Sequence, residues 1–116
     1  MPGAPAFIHV YAGGPALGPL GHVPQGTAAI DHVSLATSGY HTTLARIAAA
    51  GLDWREFWVP GTTLWQIFVY DPSGVQLELT FDGAFEQGAP PDMRPGRCYV
   101  AGAGFFDAAK YPKFGA

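Results

Sequence analysis

Residues 64–81 read as two strands parted by one turn, the first almost wholly apolar and the second alternating apolar and polar side chains with the period of a β-strand. Leu64-Trp65-Gln66-Ile67-Phe68-Val69-Tyr70 forms the first run and Val75-Gln76-Leu77-Glu78-Leu79-Thr80-Phe81 the second. Between them Pro72 presets φ for a turn that Gly74 closes. Alternation puts Val75, Leu77, Leu79 and Phe81 on one face of the second strand and Gln76, Glu78 and Thr80 on the other. Upstream, residues 28–36 read as a strand with Ile30, His32 and Ser34 on one face and Val33 and Leu35 on the other. The period then changes. Tyr40, Leu44, Ile47 and Ala48 make the three-four stripe of a core-facing helix over residues 39–50, with Ser38 as its N-cap and Gly51 at its C′ position. Residues 53–59 read as a further strand that Pro60-Gly61 ends.

The order over residues 28–82 is therefore β-α-β-β-β, an α+β arrangement. Residues 6–11, with Phe-Ile-His-Val-Tyr at their centre, predict one extra N-terminal strand, and the Gly/Pro-rich residues 13–25 a loop. From Gly83 onward the pattern is lost. Pro90, Pro91, Pro95 and Gly96 alternate with Tyr99, Phe105, Phe106, Tyr111 and Phe114. This is a largely irregular aromatic arm, with one helical turn expected over residues 105–110. So many rings imply that it packs on its own core or on a partner. The whole is read as a single domain: residues 1–27 a lone strand and loop, 28–82 the β-α-β-β-β unit, 83–116 the arm.

Composition narrows the function classes. With 116 residues, 48% of them hydrophobic and 13% charged, the chain can pack one modest core. A net charge of −3 with six Lys and Arg leaves no nucleic-acid footprint and no membrane-surface patch. No apolar run reaches the roughly 20 residues of a membrane-spanning helix. No basic segment leads into an apolar one at the N-terminus, so a soluble cytoplasmic protein is expected. Cys98 is the single cysteine, which excludes an intramolecular disulfide and a Cys-rich zinc site.

His32 and Glu78 carry the sharpest chemistry. Each lies mid-strand on a polar face, and if the two faces are one, an imidazole and a carboxylate converge. That donor mixture suits Fe, Mn, Ni, Co or Zn. His9, between Ile8 and Val10, has a similar setting and would complete a two-His, one-carboxylate set with open coordination positions. The plainer reading of each is structural: a strand histidine bonded to a backbone carbonyl, or a glutamate paired across strands, although few Lys or Arg are present to pair with it. Gln66, Tyr70 and Ser34 are candidates for substrate contact. Trp54, Trp58 and Trp65 read as core or interface, and His22 and His41 as surface residues.

Three segments together are similar to a known family. Ile30-Asp31-His32-Val33-Ser34-Leu35, then a helix ending in Ala50-Gly51-Leu52, then Gln-x-Phe-x-x-Asp-Pro-x-Gly-x-x-x-Glu-Leu from Gln66 to Leu79, resemble the second module of the vicinal oxygen chelate superfamily. This is the group of glyoxalases, bleomycin-resistance proteins and extradiol dioxygenases. The resemblance covers residues 5–82. It implies a curved mixed sheet, a metal cleft shared by two modules, His32 as first-strand ligand and Glu78 as last-strand ligand. His9 would then occupy the last-strand ligand place of a preceding, truncated module. The chain departs from the usual two-module pattern by the absence of most of that first module.

Two outcomes are expected from that departure. Either two copies form a homodimer that shares the cleft, or the chain is a truncated relative without activity. The resemblance implies a metal-dependent enzyme acting on a small oxygen-chelating substrate, an isomerase or lyase of the glyoxalase type or a ring-cleaving dioxygenase. Glu78 would serve as ligand or general base. The alternative is a non-catalytic binder of the bleomycin-resistance type.

Overall fold

A computed structural model of the protein describes residues 31–111. They hold β1 (Val33–Ala36), α1 (Tyr40–Ala49), β2 (Arg55–Trp58), β3 (Leu64–Tyr70) and β4 (Gln76–Asp82), the expected β-α-β-β-β order of an α+β fold. The strand expected over residues 6–11, the loop over 13–25, His9, His22 and Phe114 lie outside the described residues. The sheet is mixed, in the order β1-β4-β3-β2. β1 runs parallel to β4, and α1 makes the crossover between β1 and β2 at opposite edges. The β2–β3 and β3–β4 pairs are antiparallel.

The hairpin forms where alternation breaks. Asp71 C=O accepts from Gly74 N–H at 3.0 Å, and Gly74 takes φ +83°, which a side chain disfavours. The Asp71 carboxylate accepts from the N–H groups of Ser73 and Val75, both at 2.9 Å, so the turn is closed from inside. This sets the register Ile67↔Leu79 and Phe68↔Glu78. Ile67, Val69, Trp65 and Phe81 face α1 and bury with Tyr40 and Ile47, flanked by Leu44, Leu52, Trp54, Leu77 and Leu79. Burying one such side chain stabilises by about 1.5–3 kcal/mol. Ala48, expected in the stripe, is exposed. The contact line follows Tyr40, Leu44 and Ile47, and Ala48 falls beside it.

The ends of α1 divide between expectation and correction. Gly51, at φ +73°, donates to Ala48 C=O and Leu52 N–H donates to Ile47 C=O, the two bonds of a Schellman end. At the N-terminus Ser38 is not the cap. Gly39 is, with no side-chain bond of its own. The free N–H groups of Gly39 and Tyr40 donate instead to Glu86, at 3.1 and 2.6 Å. A carboxylate from the arm thus caps the helix, at the pole where the helix dipole favours negative charge.

The arm wraps β2 and then changes face. After a 3-10 turn at Gly83–Phe85, Ala89 C=O accepts from His41 Nε2 at 2.7 Å and Asp92 N–H donates to Glu56. Glu56 N–H then donates to Arg97 C=O and Tyr99 N–H to Glu56 C=O, both at 2.9 Å, which covers the β2 edge. Beyond it Tyr99, Phe105 and Phe106 lie on the sheet face opposite α1, against Phe68 and Tyr70. The expected helical turn is the 3-10 turn Ala108–Lys110. The arm therefore packs on its own sheet.

Candidate functional site

The face away from α1 presents Ser34 from β1, Glu78 and Thr80 from β4, and Gln66, Phe68 and Tyr70 from β3. Register puts Ser34 and Phe68 directly beside Glu78, one on each side. His32 precedes β1 and shares the parity of Ser34, so its ring lies on the same face. The two residues that the sequence singled out meet there: His32 Nε2 is 3.3 Å from Glu78 Oε1.

The surroundings of the pair are directional. His32 Nδ1 lies 2.7 Å from the Asp31 carboxylate, which can only accept, so Nδ1 carries a proton and Nε2 is turned toward Glu78. The second oxygen of Glu78 accepts from Ser34 Oγ at 2.7 Å and from Thr80 Oγ1 at 3.1 Å. Those two hydroxyls hold the carboxylate plane while Oε1 stays turned to the imidazole. Two lone-pair carriers at this separation repel unless positive charge lies between them, supplied by a proton on Nε2 or by a metal ion. The pair is accessible without being open: the side chains are 30% exposed at His32 and 14% at Glu78. Phe68, 2% exposed, meets the His32 ring edge-on with centroids 6.0 Å apart. Tyr99 stacks flat on Phe68 at 3.7 Å. Burial, then the charges of Asp31 and Glu78, raise the Tyr99 hydroxyl above the ordinary phenol range.

The remaining candidates divide. Ser34 is on the site, with its hydroxyl committed to Glu78. Gln66 is half-buried on the same face, opposite Thr80 and two residue pairs along from Glu78. Tyr70 lies at the sheet end beneath the arm, its ring against Phe105 and Phe106 and its carbonyl bonded by the Tyr111 hydroxyl at 2.6 Å. Trp65 is buried, Trp54 half-buried beneath the Arg97 guanidinium, and Trp58 exposed. Among the described residues no group of three or more His, Cys, Asp or Glu is placed to hold a metal ion. His32 and Glu78 supply one nitrogen and one oxygen donor.

Sequence reasoning missed four contributors. Asp31 adjoins His32 and Thr80 shares the Glu78 face by alternation, so both had a local signal. Phe68 sits opposite Glu78, which the turn register alone would have shown. Tyr99 had none, because it reaches the site only through the path of the arm. Glu56 was also missed. It is 5% exposed on the α1 side of β2, where it accepts from Tyr40 Oη at 2.8 Å, Trp54 Nε1 at 3.0 Å and Asp92 N–H at 3.1 Å. These donors satisfy a buried carboxylate, and it faces away from His32 and Glu78. Among the described residues no helix is long and apolar enough to cross a membrane. Compared with family models, with curated proteins and with solved structures, the chain matches none.

Proposed function

We propose that this chain is a relative of the vicinal oxygen chelate proteins, a metal-dependent enzyme that binds a divalent ion through His32 Nε2 and Glu78 Oε1 and acts on a small substrate offering two oxygens. The observation that carries the reading is the directed pair: Asp31 holds the proton on Nδ1, two hydroxyls hold Oε2, and the two free donors face each other at 3.3 Å. The strand order, with the first strand parallel to the last, agrees with the module expected from the motif. Two donors leave the ion short of a complete shell. The others come from a second copy across a two-fold axis or from His9. One cysteine and low basic content suit a soluble protein of the cytoplasm.

A bound divalent ion supplies Lewis acidity that stabilises negative charge developing on substrate oxygen. The protein's part is orientation and proton movement. Glu78 would either remain a ligand of the ion or leave it to take a proton from the substrate, with Ser34 and Thr80 holding the carboxylate. Gln66, on the same face, is placed to bond a substrate oxygen. Isomerase or lyase chemistry of the glyoxalase type fits better than ring cleavage. A dioxygenase would want a second acid–base group at the site, and Tyr70, one candidate for it, is packed under the arm. A non-catalytic binder of a cationic, aromatic ligand is the second reading, and the net charge of −3 suits it.

Metal analysis of untagged protein tests the proposal. Stoichiometric Fe, Mn, Ni, Co or Zn is expected, lost in both His32→Ala and Glu78→Ala with the fold intact. Protein that carries no metal and gains no thermal stability from any of these ions would overturn the metal reading and leave the binder.

A further inference from the structure

The C-terminal arm brings Tyr99 to the site from 67 residues beyond His32 (99 − 32) and 21 beyond Glu78 (99 − 78). Its backbone is tied to β2 through Glu56, so the ring is delivered by a fixed anchor. The ring lies on Phe68 with planes 11° apart and centroids 3.7 Å apart, and meets Phe57 edge-on at 6.4 Å. Phe68 thus contacts both rings: Tyr99 lies flat on it, and the His32 ring meets it at 81° with centroids 6.0 Å apart. The imidazole has Asp31 on one nitrogen, Glu78 3.3 Å from the other and the Phe68 ring nearly perpendicular beside it. Asp31 is 63% exposed and cannot fix the ring alone.

We propose that Tyr99 is the positioning residue of the His32–Glu78 pair. By fixing the plane of Phe68, which the imidazole meets nearly perpendicular, it holds Nε2 toward Glu78 Oε1. The inference rests on the metal reading only for its functional consequence; the positioning itself is a property of the metal-free chain. The face of Tyr99 supplies the contact. Its hydroxyl is dispensable, so Tyr99→Phe preserves the effect and Tyr99→Ala removes it. Tyr99→Leu keeps apolar bulk without a flat face and serves if the alanine variant is poorly folded.

Two readouts on the full chain test this. Nitrogen-15 spectra of the imidazoles, with His32 assigned by His32→Gln, report ring order and tautomer without metal. Co(II) titration followed by visible absorption reports the pair as a metal site. Tyr99→Phe is expected to match the parent in both. Tyr99→Ala and Tyr99→Leu are expected to shift and broaden the His32 nitrogens and to weaken Co(II) binding about tenfold, the usual scale for a residue supporting a ligand. If the His32 signals respond in this pattern while no variant or parent binds Co(II), positioning stands and the metal reading falls. If His32 signals and Co(II) affinity are unchanged in a folded Tyr99→Ala or Tyr99→Leu variant, the inference is overturned.

Discussion

Two glutamates on opposite faces of one sheet show how residue environment separates structure from chemistry. Glu56 faces α1 and has neutral donors converging on its carboxylate. Glu78 faces away from α1, with one oxygen held by hydroxyls and the other opposed to an imidazole nitrogen. The first ties helix, strand and arm together; the second joins β1 and β4 on the opposite face. Tyr40 reports on the first. Burial, then its bond to Glu56, pushes its hydroxyl far above the ordinary phenol range, because ionisation would set two negative charges together in an apolar site. The unfolded chain then releases this proton first, near pH 10. The contribution is complete below about pH 10 and declines as pH rises above it. Tyr99 and Tyr111, raised chiefly by burial, add in the same direction. Urea unfolding at pH 8 and pH 11 should show that decline, and Tyr40→Phe should make it shallower. Equal declines in parent and variant would show that the Tyr40–Glu56 contact does not set the alkaline limb.

The elements form where local pattern and local chemistry agree. The apolar run 64–70, the alternation over 75–81 and the Asp71-Pro72-Ser73-Gly74 turn specify the hairpin, and its first strand has the expected bounds. β2 is shorter than its apolar pattern, Arg55–Trp58, because pairing with β3 ends at Trp58↔Trp65. The N-terminus of α1 was illegible for a different reason: its cap is Glu86, 47 residues away in the chain, beyond any local signal. Gly83 has a similar origin. It sits where β4 leaves the sheet, and an added Cβ would lie 2.3 Å from the indole nitrogen of buried Trp65. Gly51 differs, having open space around its Cβ position but φ +73°. Gly83→Ala should therefore cost about 2–4 kcal/mol through displaced core packing, and Gly51→Ala about 1 kcal/mol through backbone strain alone. Chemical denaturation that ranks Gly51→Ala as the more damaging would show that Trp65 yields easily.

At the scale of the whole molecule the described residues bring together one nitrogen and one oxygen donor, on a face that the arm covers over β2 and β3. A shared site predicts association. Sedimentation at micromolar concentration should give a dimer, and addition of a bound ion should strengthen it. A monomer that still binds one ion per chain would place the remaining ligands within one chain, His9 first. The sequence by itself determined what depends on neighbours in the chain: the β-α-β-β-β order, the hairpin turn, the glycine end of α1, and the faces to which His32 and Glu78 belong. Those follow from period and turn chemistry, which act over a few residues. Tertiary structure alone decided which groups complete those features. Glu86 on α1, the donors around Glu56 and Tyr99 over Phe68 are joined by the path of the arm. A segment without period leaves no trace in the sequence of where it packs, because its position is set by the surface it finds.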